Sequence, residues 1–82
     1  RFYKSSKLTV AVESGKMSSI VFECNDYKPD YTTALQNSIS GASVSVDGTV
    51  VTATLPAAAQ SFVIEAMSAQ VRVNSITVYY AE

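Results

Sequence analysis

Val44-Ser45-Val46-Asp47-Gly48-Thr49-Val50-Val51 decides the fold class of this chain. Two β-branched runs flank an Asp-Gly pair, the combination a type I′ turn favours because both of its central residues need positive φ. The stretch therefore predicts a β-hairpin. Beyond it, Val51, Ala53 and Leu55 alternate with Thr52 and Thr54, giving one apolar and one polar face. Pro56 predicts the end of that arm, since proline cannot donate to a strand ladder. Ala57-Ala58-Ala59-Gln60 then reads as a short link, long enough for a single helical turn.

The period-2 signature recurs on both sides of the hairpin. Lys7 to Glu13 places Leu8, Val10 and Val12 on one face, and Ser18 to Asn25 does the same with Ile20, Phe22 and Cys24. Val21 is the one apolar residue on the polar face. Ser14-Gly15-Lys16 reads as a tight turn, so these two strands are expected to pair as a hairpin. From Asp26 to Gly41 the alternation is lost; this is the longest expected irregular segment, with Asp30 or Thr32 placed to cap a short helical turn through Leu35. Phe62, Ile64 and Ala66 alternate again.

Gln70 to Tyr80 changes phase, with Val71 and Val73 at odd positions and Ile76, Val78 and Tyr80 at even ones. One inserted residue would let both sets face the same core, which predicts a β-bulge near Asn74-Ser75. A strand that switches sheets there is the alternative. Six or seven short strands separated by turn signals predict an all-β, antiparallel, jelly-roll-like β-sandwich. Residues 1–82 are read as one such domain of a larger chain, because the sequence opens at Arg1 without a methionine.

Composition narrows the function. The chain has 82 residues, of which 48% are hydrophobic and 16% charged, more apolar than so small a core can hide. Some apolar surface is expected to meet another domain, another copy or a ligand. Six basic and seven acidic residues are scattered singly, for a net charge of −1, so the sequence writes no positive field for nucleic acid or an anionic membrane. No apolar run approaches the ~18 residues of a membrane span.

The chemistry available is sparse. There is no histidine, which removes the usual general base and the commonest zinc ligand. Cys24 stands alone in a strand-like run and is expected to be buried and inert. Gly15, Gly41 and Gly48 are isolated, so no phosphate-cradling loop is present. Glu13 and Glu23 could be neighbours on the first hairpin, but on its solvated face. Asp26, Asp30 and nearby carbonyls are the one set with any suitability for calcium, at a spacing that matches no EF-hand loop. No catalytic residue, metal or other cofactor is expected, and the chain is read as not an enzyme.

Binding is the better prospect. Tyr27, Lys28, Asp30 and Tyr31 surround Pro29 and form the candidate ligand site, since a tyrosine ring stacks on sugars or anchors a protein interface. The structural alternative has Tyr27 covering the core edge while Tyr3 and Tyr80 close the bottom of the core. Arg72 is expected to form a surface ion pair with Glu65, or else to hydrogen-bond a carboxylate or sugar hydroxyls.

Arg1-Phe2-Tyr3-Lys4, Leu8-Thr9-Val10, Lys16-Met17-Ser18-Ser19-Ile20-Val21-Phe22 and Gln70-Val71-Arg72-Val73-Asn74-Ser75-Ile76-Thr77-Val78-Tyr79-Tyr80 together resemble an uncharacterised β-sandwich module. That module recurs in multidomain surface and secreted proteins of gut Bacteroidetes and Firmicutes and in their phages. Its members often carry upstream strands and a tryptophan near the position of Val44 or Thr49, both missing here. The resemblance implies an extracellular, cell-surface or virion-surface location and no catalytic residues. The expected function is that of a non-catalytic accessory domain for adhesion or carbohydrate binding, its partner a glycan or a protein. The alternative is a structural or decoration subunit of a surface fibre or virion, self-associating through a sheet edge.

Overall fold

A computed structural model describes all residues from Arg1 to Glu82. Six strands and one helix follow in the order β1 (Leu8–Ala11), β2 (Met17–Cys24), α1 (Asp30–Ser38), β3 (Ser43–Asp47), β4 (Val50–Ala59), β5 (Ser61–Ile64) and β6 (Val73–Tyr80). The strands make two antiparallel sheets, a four-stranded one in the order β3-β4-β2-β6 and a two-stranded β1-β5 ribbon. The chain is thus mostly β and sandwich-like, with a helix in the covering layer.

Alternation builds the larger sheet. Ile20 lies opposite both Ala53 and Val78, and Phe22 opposite both Val51 and Ile76. Residues directly opposite share a face, so each row presents an apolar band to the core. Ile20, Phe22, Val51 and Ala53 are fully buried, and Cys24 nearly so. On the outer face Val21, the exception to the pattern, stands between Thr52 and Thr77. Val10 and Ile64 of the ribbon, and Tyr31, Ala34 and Leu35 of the helix, complete one core.

The β3–β4 hairpin forms as expected, but through a different turn. Asp47 pairs with Val50, so the central residues are Gly48 and Thr49, and only Gly48 has positive φ, at +61°. That matches a turn with glycine first rather than the type I′ Asp-Gly turn.

The expected hairpin between the first two strands does not form. β1 pairs with β5, Leu8 opposite Ile64, while β2 is flanked by β4 and β6. Glu13 and Glu23 are therefore not cross-strand neighbours. Pro56 does not end β4, which runs on through Ala59 with no helical turn at 57–60. Between the pairs Ser19–Thr54 and Met17–Ala59, β4 carries extra residues, and β3 pairing stops at Thr54. Pro56 sits in this bulge, where no ladder needs its N–H.

The stretch expected to be irregular is largely helix. Tyr31, Ala34, Leu35 and Ile39 recur at helical spacing and are all buried, and α1 packs on β3 and β4. Neither Asp30 nor Thr32 caps it: Pro29 holds the N-cap position with no side-chain cap bond. At the other end the Ser68 N–H donates to Ser38 Oγ at 2.9 Å and the Ser68 hydroxyl to the Ala34 carbonyl at 3.0 Å.

The phase change in the last strand comes from the anticipated bulge. Glu23 lies opposite Ser75 and Cys24 opposite Val73, which leaves Asn74 as the inserted residue of a bulge. Just before it the chain changes partner. Phe2 and Val71 exchange two backbone hydrogen bonds of 2.8 Å in an isolated bridge, whereas Val73 belongs to the large sheet. The covering layer stops short of the β6 edge, so Ile76 and Tyr80 are 39% and 57% exposed rather than buried. Tyr3 is exposed as well, so neither tyrosine closes the core, and Ala66 also faces solvent while Met67 takes the buried place.

Burial pushes the Cys24 thiol above its ordinary value of 9.0, with the Glu23 carboxylate adding to the rise. A raised folded-state pKa contributes stability that is whole below the unfolded value and is lost as pH rises through the folded one. Urea midpoints should therefore decline above pH ~9 more steeply in the natural chain than in Cys24→Ala. Equal slopes would remove the thiol from the account.

Candidate functional site

A cleft of about 450 Å³ opens between the first turns of α1, the segment just before it, and residues 69–72. Tyr27, Lys28, Asp30 and Tyr31 all line it. The structure thus brings the four sequence candidates together, but in unequal roles. Tyr27 is 67% exposed and presents its ring, whereas Tyr31 is 4% exposed and belongs to the core, forming the floor of the cleft.

The opposite wall comes from the point where the chain passes from its bridge with Phe2 into the large sheet. There Gln70 and Arg72 face the cleft, and Arg1 closes one end. Asn25, at the end of β2, joins the two walls. Its N–H donates to the Arg72 carbonyl at 2.9 Å, and its Oδ1 accepts from the Tyr27 N–H at 2.8 Å. Its Nδ2 donates to Asn74 Oδ1 at 3.2 Å, so the bulge residue is held by the same side chain. This is an Asx turn serving as a brace.

The geometry sets Arg72 over Tyr27, with the guanidinium carbon 5.0 Å from the ring centroid. The expected ion pair with Glu65 is not formed. Instead, Arg72 Nε is buried and has no hydrogen-bond partner. A buried donor without an acceptor costs roughly 1–3 kcal/mol, and more when charged. Most of the chain's polar groups avoid that condition, which makes this one informative.

Three of the six basic residues, Arg1, Lys28 and Arg72, line this one cleft, against a single carboxylate, Asp30. A positive field absent from the linear sequence is therefore assembled by folding. Asp26 lies apart, on a neighbouring depression of about 260 Å³ with Pro29, Thr32 and Gly48. Asp26 and Asp30 thus line different hollows, and no group of three or more His, Cys, Asp or Glu side chains is placed to hold a metal ion.

Sequence reasoning identified the helix side of the cleft and underrated the other. The sequence offered Glu65 as a partner for Arg72, but the approach of Arg72 to Tyr27 depends on how the chain passes from the Phe2 bridge into the large sheet. Asn25 carried one signal, its position two residues before Tyr27 at a strand end, the spacing of an Asx turn. No helix in the structure is long and apolar enough to cross a membrane. No family model, curated protein or solved structure matches the chain.

Replacing Asn25 tests the brace. Asn25→Ala should lower stability by about 1–2 kcal/mol, because two side-chain hydrogen bonds disappear. Asn25→Asp keeps the acceptor for the Tyr27 N–H and should retain part of that loss. Urea denaturation of the three proteins decides it, and identical midpoints would show that the brace is not formed in solution.

Proposed function

We propose that this domain is a non-catalytic binding module of an extracellular protein, taking a glycan into the cleft beside Tyr27. The observation that carries the reading is the cleft itself: an exposed tyrosine ring next to an arginine whose Nε has no partner in the protein. Ring and guanidinium offer a stacking surface and directed donors, while Asp30 and Gln70 supply groups for hydroxyls. Its volume falls within the range of small-ligand sites, roughly 300–1,000 Å³. The two packed antiparallel layers fit a jelly-roll-like description, and the adhesion role is the one the resemblance implies.

The tyrosines separate binding from folding. Tyr27→Ala should leave the fold intact and abolish glycan retention on an array, because that ring touches mainly solvent. Tyr31→Ala removes a core side chain and should cost about 3–5 kcal/mol, a large part of the stability of so small a domain. Glycan retention by a folded Tyr27→Ala protein would remove the cleft from the reading.

A second reading, assembly into a fibre or virion surface, is favoured by β6. This edge strand of eight residues holds no charge and no proline, and Ile76, Tyr79 and Tyr80 are exposed along it. Light scattering over a concentration series distinguishes the readings. A binding module should hold the 8.8 kDa monomer mass at every concentration. An assembly subunit should grow in mass, and Thr77→Lys should stop that growth by charging the edge.

A further inference from the structure

Building on the glycan reading of the cleft, we infer that its ligand is an acidic sugar, a hexuronate-type ring whose carboxylate is held by Arg72 and whose hydroxyls meet Asp30 and Gln70. Four observations converge on this chemistry. Arg72 lines the cleft and neither pairs with a carboxylate nor donates a side-chain hydrogen bond within the protein; its Nε is buried inside the fold, so the terminal guanidinium nitrogens are the donors left for a ligand. The guanidinium lies against the Tyr27 ring, and Asn25 holds the Arg72 backbone that carries it. A planar fork of donors suits the two oxygens of a carboxylate better than a single hydroxyl.

Charge selects further. Arg1, Lys28 and Arg72 against Asp30 give a formal lining charge of 3 − 1 = +2, in a chain whose net charge is −1. Asp30 sets the upper limit on that preference. A densely sulfated or phosphorylated ligand would bring several negative charges against its carboxylate, whereas one ring bears one carboxylate and leaves hydroxyls to donate to Asp30. The exposed Tyr27 ring supplies the apolar face on which a pyranose stacks.

The test is a ¹H–¹⁵N chemical-shift titration of the 82-residue chain with glucuronate and galacturonate, each beside its neutral partner, glucose and galactose. The uronates should shift the Tyr27, Lys28 and Gln70 amides and bind about tenfold more tightly than the neutral sugars, the equivalent of one charge-assisted contact. Arg72→Gln should erase that preference while neutral sugars still bind. Lys28→Gln, at an exposed position with little bearing on folding, should reduce the preference several-fold and serves if Arg72→Gln does not fold. Equal affinity for acidic and neutral sugars would overturn the acidic ligand and leave the glycan site standing. Absence of shifts with all four would overturn both.

Discussion

Everything in this structure hangs on β2 being hydrogen-bonded on both sides. Its eight residues pair with β4 along one edge and β6 along the other, and Met17, Ile20 and Phe22 on its inner face are completely buried, with Cys24 close behind. A strand in that position cannot slip by one residue without moving its whole apolar set to the solvent face. Register is therefore fixed at the centre and inherited outward. Where a neighbour does not fit, it bulges: β4 around Pro56 and β6 at Asn74. β2 itself yields only at its first residues, where Ser18 is inserted between the pairs Met17–Tyr80 and Ser19–Tyr79.

The alternation of apolar and polar residues was legible because side-chain direction in a strand follows the sequence directly. It located all six strands, and the phase change in 70–80 revealed the bulge. Partner choice was not legible. Backbone hydrogen bonds are the same for every residue, so Ser14-Gly15-Lys16 looked like a hairpin turn although the two strands it joins lie in different sheets. The helix was legible only as a short turn through Leu35, for another reason. Nine residues are too few to be helical alone, and the apolar spacing of Tyr31, Ala34, Leu35 and Ile39 gains meaning only once β3 and β4 offer a surface to cover.

The cleft shows the same division. Its helix-side residues sit within a few positions of one another, so a cluster of tyrosine, lysine and aspartate around a proline was visible in the sequence. Its other wall arrives from near the opposite end of the chain, at the residues where one backbone stretch leaves its bridge with Phe2 and joins the large sheet. Arg72 lies between Val71, bonded to Phe2, and Val73, bonded across to Cys24. The crossing between layers thus does two jobs, closing the sandwich and carrying a cation to the rim of the cleft.

The registers also dictate an order of events in time. Only the β3–β4 hairpin joins strands that are adjacent in the chain; β1 must await β5, and the outer side of β2 must await β6, whose Tyr80 meets Met17. During synthesis the first strands therefore emerge with no partner yet made: the ribbon must wait for Ile64, and the larger sheet cannot close until β6 has left the ribosome. Such long-range pairing makes for slow folding, nucleated at the hairpin and growing outward. The apolar β1 and β2 are the segments of this domain exposed longest on that path, which makes them its most vulnerable stretch before β5 and β6 arrive.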